Sequence, residues 1–199
     1  ISGTTASLAG LEQALERHDE PAIDLAIRRI LLLHSVIMAR GGIAQIYMGD
    51  EVGLLNDASY LQDPEKANDS RWLHRPKMDW AKVDRRHAPR SVEGRLFAGL
   101  LKLIRVRKSN PVMHNLALYQ PMWTDNMHVL AFARRRHDTD LLVLANFDER
   151  PQSVQDDLPC HAGIQGAIRN ILAERGQLNA ADGRIYLDGY EALWLAGDD

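Results

Sequence analysis

The chain has 199 residues, 45% of them hydrophobic, which is enough for one large domain or a large and a small one with a substantial core. Its formal net charge is only −3 and its basic residues are scattered, which argues against a nucleic-acid partner. A single cysteine, Cys160, excludes an internal disulfide and favours a reducing compartment such as the cytoplasm.

The sequence lacks the signals of several other classes of protein. Its longest apolar run, residues 30–39, contains His34 and is far shorter than the ~20 residues that span a bilayer, so we expect no membrane partner. No Cys/His cluster has zinc spacing and no glycine-rich phosphate or dinucleotide motif occurs, so we expect neither a metal nor a cofactor. Because the chain starts at Ile1 without an initiator Met or a signal peptide, we expect a segment of a longer protein or the product of tag removal.

The first fifty residues predict helices followed by a buried strand. A short helix over residues 6–16 would be capped by Thr4 or Thr5, and a longer helix ends at Gly41-Gly42. The longer helix is apolar on most of its faces, which predicts burial. Residues 43–48 then form a short apolar run bounded by glycines, which is typical of a parallel strand buried on both faces. Helix, tight turn and buried strand together indicate an α/β fold.

Residues 49–90 show neither helical nor strand periodicity. An irregular stretch of this length inside a globular chain is usually functional or disordered, and its three aromatic residues argue against disorder. Ser91 then caps a further helix, in which Glu93 lies in the first turn. The sequence therefore predicts an ordered functional loop between a buried strand and a helix.

The sequence changes character after Pro111, where short strand-like runs are separated by turn residues. The predicted strands cover residues 129–134, 141–147, 184–187 and 192–195. Evenly spaced short strands indicate a small antiparallel β domain. We therefore place the two predicted domains at residues 1–112 and 113–199.

Two places in the irregular loop carry candidate binding residues. Asp50 and Glu51 directly follow the predicted strand, and loops at the carboxyl ends of parallel strands face the active-site crevice. Their carboxylates could bind a polar ligand or a cation, or only cap the next turn. In Asp69–Pro76, Arg71 offers five fixed donors to a carboxylate or a hydroxyl-rich partner, and Trp72 offers an apolar platform for a sugar ring. The alternative for this stretch is a surface turn with a packed tryptophan.

Three stretches resemble a known family: residues 42–53, then Asn56-Asp57, and above all the string NDSRWLHRP at residues 68–76. The combination is similar to the amylosucrases and the closely related sucrose hydrolases of the α-amylase superfamily. Further matches are residues 1–11, Ser109–Pro111 and Asn146-Phe147. The resemblance covers essentially the whole chain.

The resemblance implies the C-terminal part of a (β/α)8 barrel over residues 1–112, with the long loop 49–90, followed by a small antiparallel β-sandwich over residues 113–199. It implies retaining cleavage of sucrose, with the glucosyl unit passed to an α-glucan acceptor or to water. The implied partners are sucrose, the glucan acceptor and the upstream half of the same enzyme. In this family the nucleophile, the acid/base and the stabilising carboxylate precede the segment that matches Ile1, so the resemblance places no catalytic residue in this chain.

By the same resemblance, Arg71 matches the family arginine that closes the bottom of the glucosyl pocket, where it pairs with an aspartate from an early barrel loop. Asp69 and Asp50 are further candidate substrate-binding residues. Two other interpretations stay open. One is another α-glucosidase or a trehalose-synthase-like enzyme of the superfamily, and the other is a non-catalytic carbohydrate-binding or structural module.

Overall fold

The computed structural model describes residues 2–173 and 178–197. The helices are α1 (Thr5–Leu8), α2 (Leu11–Glu16), α3 (Glu20–Arg40), α4 (Trp80–Asp84), α5 (Val92–Ser109) and α6 (Leu158–His161). The strands are β1 (Leu118–Met122), β2 (Val129–Arg136), β3 (Thr139–Asn146), β4 (Gln152–Gln155), β5 (Ile168–Asn170), β6 (Ala180–Ala181), β7 (Arg184–Leu187) and β8 (Ala192–Gly197). None of the helices in these residues has the length and apolarity needed to cross a bilayer.

The chain forms two compact units. The first unit consists of the chain up to Leu31 together with Gln45–Leu101, and the second consists of Leu32–Ala44 together with the chain from Lys102 onwards. The first part of α3 and of α5 therefore belongs to the first unit, and the last part of each helix belongs to the second unit. The division of the complete protein at residue 112 stays a prediction.

The core of the first unit is built by α1, α2 and the first parts of α3 and α5. The predicted helix over residues 6–16 is divided in two, because Gly10 between α1 and α2 has a φ of 88°, which ends a helix. The expected cap is present, since the Thr4 side chain accepts a hydrogen bond from the Ser7 amide at 3.2 Å. The buried apolar residues are Ala6, Ala9, Leu11, Ala14, Ile23, Ala26, Ile27, Ile30 and Leu96.

The prediction of a buried strand over residues 43–48 is wrong for the described residues. They are not hydrogen-bonded into a sheet, and the side chains of Ile43 and Met48 are 99% and 53% exposed. A strand needs a neighbouring strand to satisfy its amides and carbonyls. In the described residues every strand lies after residue 117 and belongs to an antiparallel sheet, so this segment has no parallel partner there. Its apolar sequence is typical of a strand buried on both faces, and the described residues provide no neighbouring strand for it.

The loop over residues 49–90 is irregular and ordered, as predicted. It runs through 3-10 turns at Asp50–Val52, Ala58–Gln62 and Ser70–His74, and then through α4 and a last 3-10 turn at Arg85–His87. Three aspartates begin successive turns by accepting a backbone N–H: Asp57 from Ser59, Asp69 from Arg71 and Asp79 from Lys82. Short polar side chains of this kind satisfy amides that a regular element would otherwise pair.

The second unit contains two antiparallel sheets packed around a common core. The larger sheet has the strand order β1-β2-β3-β8-β5, and the smaller has the order β4-β7-β6. Residues that alternate along β2 and β3 bury their side chains between the sheets, where Ala131 pairs with Leu144 and Ala133 with Leu142. All four predicted strands are present, with ends that differ from the prediction by at most two residues, which confirms the antiparallel β domain.

The last part of α3 contacts the larger sheet through two side chains of its strands. Trp194 on β8 is fully buried, and its indole Nε1 donates a hydrogen bond to Ser35 Oγ of α3 at 2.9 Å. On β2, Arg134 donates to the Ala39 carbonyl at the end of α3 at 3.2 Å. The helix ends are thus part of the same packed unit as the sheets.

Candidate functional site

Asp69 and Arg71 form a forked ion pair within one turn of the loop. Arg71 Nε lies 2.8 Å from Asp69 Oδ1, and Arg71 Nη2 lies 2.8 Å from Asp69 Oδ2. Asp69 Oδ1 also accepts the Arg71 backbone N–H at 3.0 Å. A planar guanidinium against a carboxylate with two parallel bonds fixes the side-chain direction as well as the charge. The structure therefore brings together two of the three predicted binding residues.

Arg71 is held in place but is not buried by this chain. Its side chain is 68% exposed, and that of Asp69 is 31% exposed. Arg71 Nη1 makes no hydrogen bond to residues 2–173 or 178–197. Donors on the far edge of the guanidinium therefore remain available to a second carboxylate or to sugar hydroxyls.

The ion pair holds Asp69 ionised over nearly the whole pH range. The hydrogen bonds from the Arg71 side chain, and then its backbone N–H, lower the pKa of Asp69 from 3.8 to about 2. Because the pKa is lower in the folded chain than its ordinary value, the contribution of the contact to stability is complete above about pH 4 and is lost as the pH falls through about 2.

We expect a carbon-13 NMR titration of the Asp69 carboxyl to give a pKa of about 2. In the Arg71→Ala variant the pKa should move back toward 3.8, because the strongest hydrogen bonds to the carboxylate are removed. An ordinary pKa for Asp69 in the unsubstituted protein would contradict the forked geometry.

Trp72 packs within the loop. Lys66 Nζ lies 5.2 Å from the centroid of its ring, and the Arg75 guanidinium carbon lies 5.6 Å from it. Lys66 is itself held by Asp63 at 2.5 Å. The sequence left two interpretations of Trp72, a platform for a sugar ring and a packed side chain in a surface turn. The contacts with Lys66 and Arg75 favour the packed side chain.

Asp50 lies in a different turn of the same loop, between Gly49 and Gly53, whose φ values are 96° and 63°. Its neighbour Glu51 accepts the Gly49 amide at 2.8 Å, so Glu51 caps this turn, as one of the two sequence interpretations proposed. A side chain at Gly49 would lie 2.4 Å from Leu54, which explains why glycine is needed at the start of the turn.

Asn56 anchors the beginning of the loop, a role that the sequence did not reveal. Its Oδ1 accepts the Thr4 amide at 2.8 Å, and its backbone N–H donates to Ser7 Oγ at 2.9 Å. The next residue, Asp57, donates its N–H to the Leu73 carbonyl at 2.9 Å. The turn that carries Arg71 is thereby tied to the α1 region through residues 56 and 57.

Glu93 anchors the other end of the loop. It is only 4% exposed, and its carboxylate accepts hydrogen bonds from Arg85 at 2.6 Å and from Lys82 at 3.4 Å. Burial raises the pKa of Glu93, but the hydrogen bond from Arg85 and the two positive charges outweigh it and the pKa is lowered. The sequence placed Glu93 in a first helical turn but gave no signal that the loop would close over it.

The remaining candidates for a site are weaker. Residues 2–173 and 178–197 contain no group of three or more His, Cys, Asp or Glu side chains that could hold a metal ion. An open groove of about 1230 Å³ lies in the second unit, lined by residues such as His137, Asp138 and Arg169. The groove contains none of the predicted binding residues.

Comparison with known proteins identifies the fold. No family model matches the sequence. Among solved structures, trehalose-6-phosphate hydrolase of Bacillus licheniformis matches 86% of this chain and 39% of its own, with 18% identity and a TM-score of 0.58. AmyP in complex with maltose matches 85% of this chain and 34% of its own, with 18% identity and a TM-score of 0.65. The chain has the fold of the C-terminal part of an α-amylase-type barrel protein.

A variant of trehalulose synthase matches this α-amylase-type fold as well, over 85% of this chain and 38% of its own, with 17% identity and a TM-score of 0.58. The chain thus spans well under half the length of each of these structures. The predicted fold class, a terminal barrel part followed by an antiparallel β-sandwich, is confirmed. At these identities the likeness concerns the fold, so the sucrose specificity and the roles of Arg71, Asp69 and Asp50 stay predictions.

Proposed function

We propose that this chain is the C-terminal part of a retaining enzyme of the α-amylase superfamily that cleaves sucrose. The string NDSRWLHRP at residues 68–76 supports the sucrose-acting branch, and the fold is consistent with the superfamily. The observation that carries the proposal is the fixed and exposed guanidinium of Arg71, which Asp69 orients while one edge remains unoccupied.

In the proposed enzyme, Arg71 closes the bottom of the glucosyl pocket. Its remaining donors would bind the hydroxyls of a terminal glucosyl unit, or a carboxylate from an earlier loop that itself binds this unit. A closed pocket accepts the end of a sugar chain and cannot admit a polymer threaded through it. Asp69 would act by orienting Arg71, and Asp50, at the start of the same loop, would lie in the pocket wall.

In the proposed enzyme, the chemical step would be performed by residues upstream of this chain. Retaining cleavage needs two carboxyl groups about 5–5.5 Å apart, one as nucleophile and one as acid and then base. The nucleophile would attack the anomeric carbon of the glucosyl unit while the acid protonates the oxygen of the departing fructose. Water or the terminal hydroxyl of an α-glucan would then displace the enzyme carboxylate. The residues of this chain would bind and orient the sugar during both steps.

The exposed segment 43–48 supports a contact with the upstream half of the enzyme. Its apolar side chains are exposed and its backbone has no strand beside it in the described residues, yet its sequence is typical of a strand buried on both faces. A preceding barrel strand would satisfy its backbone and cover its side chains. The upstream polypeptide is therefore the partner that we propose for this edge.

The product mixture after sucrose is fed to the complete enzyme tests the proposed function. Insoluble glucan with free fructose would indicate a transferase, and equal amounts of glucose and fructose would indicate a hydrolase. In the hydrolase case the first-formed glucose should be the α-anomer, because the mechanism retains configuration. Absence of any sucrose cleavage would refute the proposal.

A different α-glucoside is the second candidate substrate, since trehalose-6-phosphate hydrolase is among the solved structures with this fold. Trehalose, its 6-phosphate and maltose, offered beside sucrose at equal concentration, distinguish the two candidates. A kcat/KM at least about tenfold higher for one of these than for sucrose would favour the second candidate, because tenfold corresponds to a readily measured 1.4 kcal/mol in the transition state.

A further inference from the structure

Two arginines from different elements hold the end of α3. Arg107 on α5 donates through Nη1 to the Met38 carbonyl and through Nη2 to the Gly42 carbonyl, the latter at 2.7 Å. Arg134 on β2 donates through Nη1 to the Ala39 carbonyl at 3.2 Å. The last carbonyls of a helix have no partner within it and carry its negative dipole end, so guanidinium groups suit them in charge and in geometry.

Arg134 is an unusual residue for this task because it is only 1% exposed. Its Nη2 donates to the carbonyls of His114 and Ala117, at 2.8 Å and 3.4 Å. Within residues 2–173 and 178–197, no carboxylate pairs with Arg134 or Arg107. Burial lowers the pKa of Arg134, and the positive charge of Arg107 lowers it further. A buried cation that binds only carbonyls is costly, which points to a specific requirement at this place.

The backbone at the end of α3 is shaped around these guanidinium groups. Gly41 and Gly42 have φ values of 105° and 72°, which turn the chain sharply out of the helix. A Cβ at Gly41 would lie 2.1 Å from Arg134 Nη1, whereas a Cβ at Gly42 would meet nothing within 4 Å. The close approach of Arg134 to Gly41 therefore requires a residue without a side chain at position 41.

We propose that Arg107 and Arg134 are positioning residues, which fix the direction in which the chain leaves α3 at Gly41-Gly42, just before residues 43–48 and, later in the sequence, the loop of Asp50 and Arg71. Both arginines and the carbonyls that they bind belong to the second unit. The consequence for catalysis rests on the proposed function, because it assumes that the loop binds the glucosyl unit. The positional claim itself does not depend on the substrate.

The experiment compares Arg107→Ala, Arg107→Lys and Arg105→Ala in the complete enzyme. Arg105 is an exposed arginine two residues earlier on the same helix, so its variant is the matched control. Amide hydrogen exchange is measured over residues 41–48, and the β2–β3 hairpin serves as the internal reference. Activity is followed as kcat and KM for sucrose.

In Arg107→Ala we expect exchange over residues 41–48 to rise at least about tenfold while the β2–β3 hairpin stays unchanged, since the opening is local. The kcat should fall by about 10- to 100-fold, as expected when binding groups are displaced by an ångström or so. Arg107→Lys keeps the charge but loses the planar fork that donates to two carbonyls. Its exchange over residues 41–48 and its kcat should therefore lie between those of Arg105→Ala and Arg107→Ala. Arg105→Ala should match the unsubstituted enzyme.

Two results would overturn the inference. One is equal exchange over residues 41–48 in Arg107→Ala and Arg105→Ala. The other is a rise in exchange that is as large in the β2–β3 hairpin as in residues 41–48, which would assign Arg107 a general stabilising role. If the unsubstituted enzyme does not cleave sucrose, the proposed function fails, but the exchange comparison still decides the positional claim. Should Arg107→Ala not fold, the exchange in Arg107→Lys decides it by the same comparison.

Discussion

Replacing Arg71 with alanine in the complete enzyme is expected to lower kcat/KM for sucrose by about 10²-fold, the usual effect of removing a preorganised donor from a catalytic site. The forked pair with Asp69 holds the guanidinium in one orientation before the sugar arrives, so little ordering remains to be done on binding. Steady-state kinetics with sucrose measure the effect. Expression and thermal unfolding should be nearly unchanged, because the side chain is largely exposed in this chain.

Two variants sharpen this test. Arg71→Lys keeps the positive charge but loses the planar fork, so it should recover only a small part of the activity. Arg90→Ala removes an exposed arginine from the same loop and should leave kcat/KM within about twofold of the unsubstituted enzyme, as is usual for surface changes. Equal activity in Arg71→Ala and Arg90→Ala would remove Arg71 from the pocket.

Replacing Gly41 with alanine is expected to destabilise the protein by about 3–4 kcal/mol, which combines the strain of a positive φ with the displacement of a buried guanidinium. The φ of 105° disfavours any side chain, and the new Cβ would occupy the position of Arg134 Nη1. Arg134 would then have to give up its hydrogen bond to the Ala39 carbonyl. Urea unfolding of the complete protein measures the free-energy change.

Gly42→Ala is the matched control for this substitution. Gly42 also has a positive φ, of 72°, but a Cβ there meets no atom within 4 Å. The expected cost is therefore about 1 kcal/mol, for the backbone conformation alone. The difference between the two variants isolates the contact with Arg134. A similar loss of unfolding free energy in Gly41→Ala and Gly42→Ala would show that the Arg134 guanidinium can move aside without cost.

Much of the fold could be predicted from the sequence because local signals and packing agree. The apolar residues of α3 and the glycines after it predicted the helix and its end, and the short strand-like runs between turn residues predicted β2 and β3. The strands that were missed, β1, β4, β5 and β6, are short or exposed, so hydrophobic periodicity does not mark them. In addition, β4 and β5 pair with strands that are distant in sequence, β7 and β8, which no local pattern predicts.

Residues 43–48 have the composition of a strand but do not form one in the described residues. Their composition is typical of a buried parallel strand, but a parallel strand forms only beside neighbouring strands, and the described residues provide none beside this segment. Composition cannot supply the partner. The result is an irregular segment whose larger apolar side chains, Ile43, Tyr47 and Met48, are exposed in the described residues.

The sequence predicted which residues belong to the candidate site but not the hydrogen bonds and ion pairs between them. The string around Arg71 gave Arg71 and Asp69 as candidate binding residues, but the resemblance paired Arg71 with an aspartate from an early barrel loop, whereas the structure pairs it with Asp69. Asn56 and Glu93, which anchor the two ends of the loop, were not recognised because their partners lie up to 52 residues away in sequence. Hydrogen bonds between distant residues leave no periodic trace.

A crystal structure of the complete enzyme with sucrose bound, its upstream acid/base residue replaced to prevent turnover, tests the central claim most directly. We expect an Arg71 guanidinium nitrogen within about 3 Å of a glucosyl hydroxyl, or of a carboxylate that binds the glucosyl unit. Residues 43–48 should form a strand beside upstream chain in the same structure. A guanidinium of Arg71 that faces bulk water, with the sugar bound elsewhere, would contradict the account.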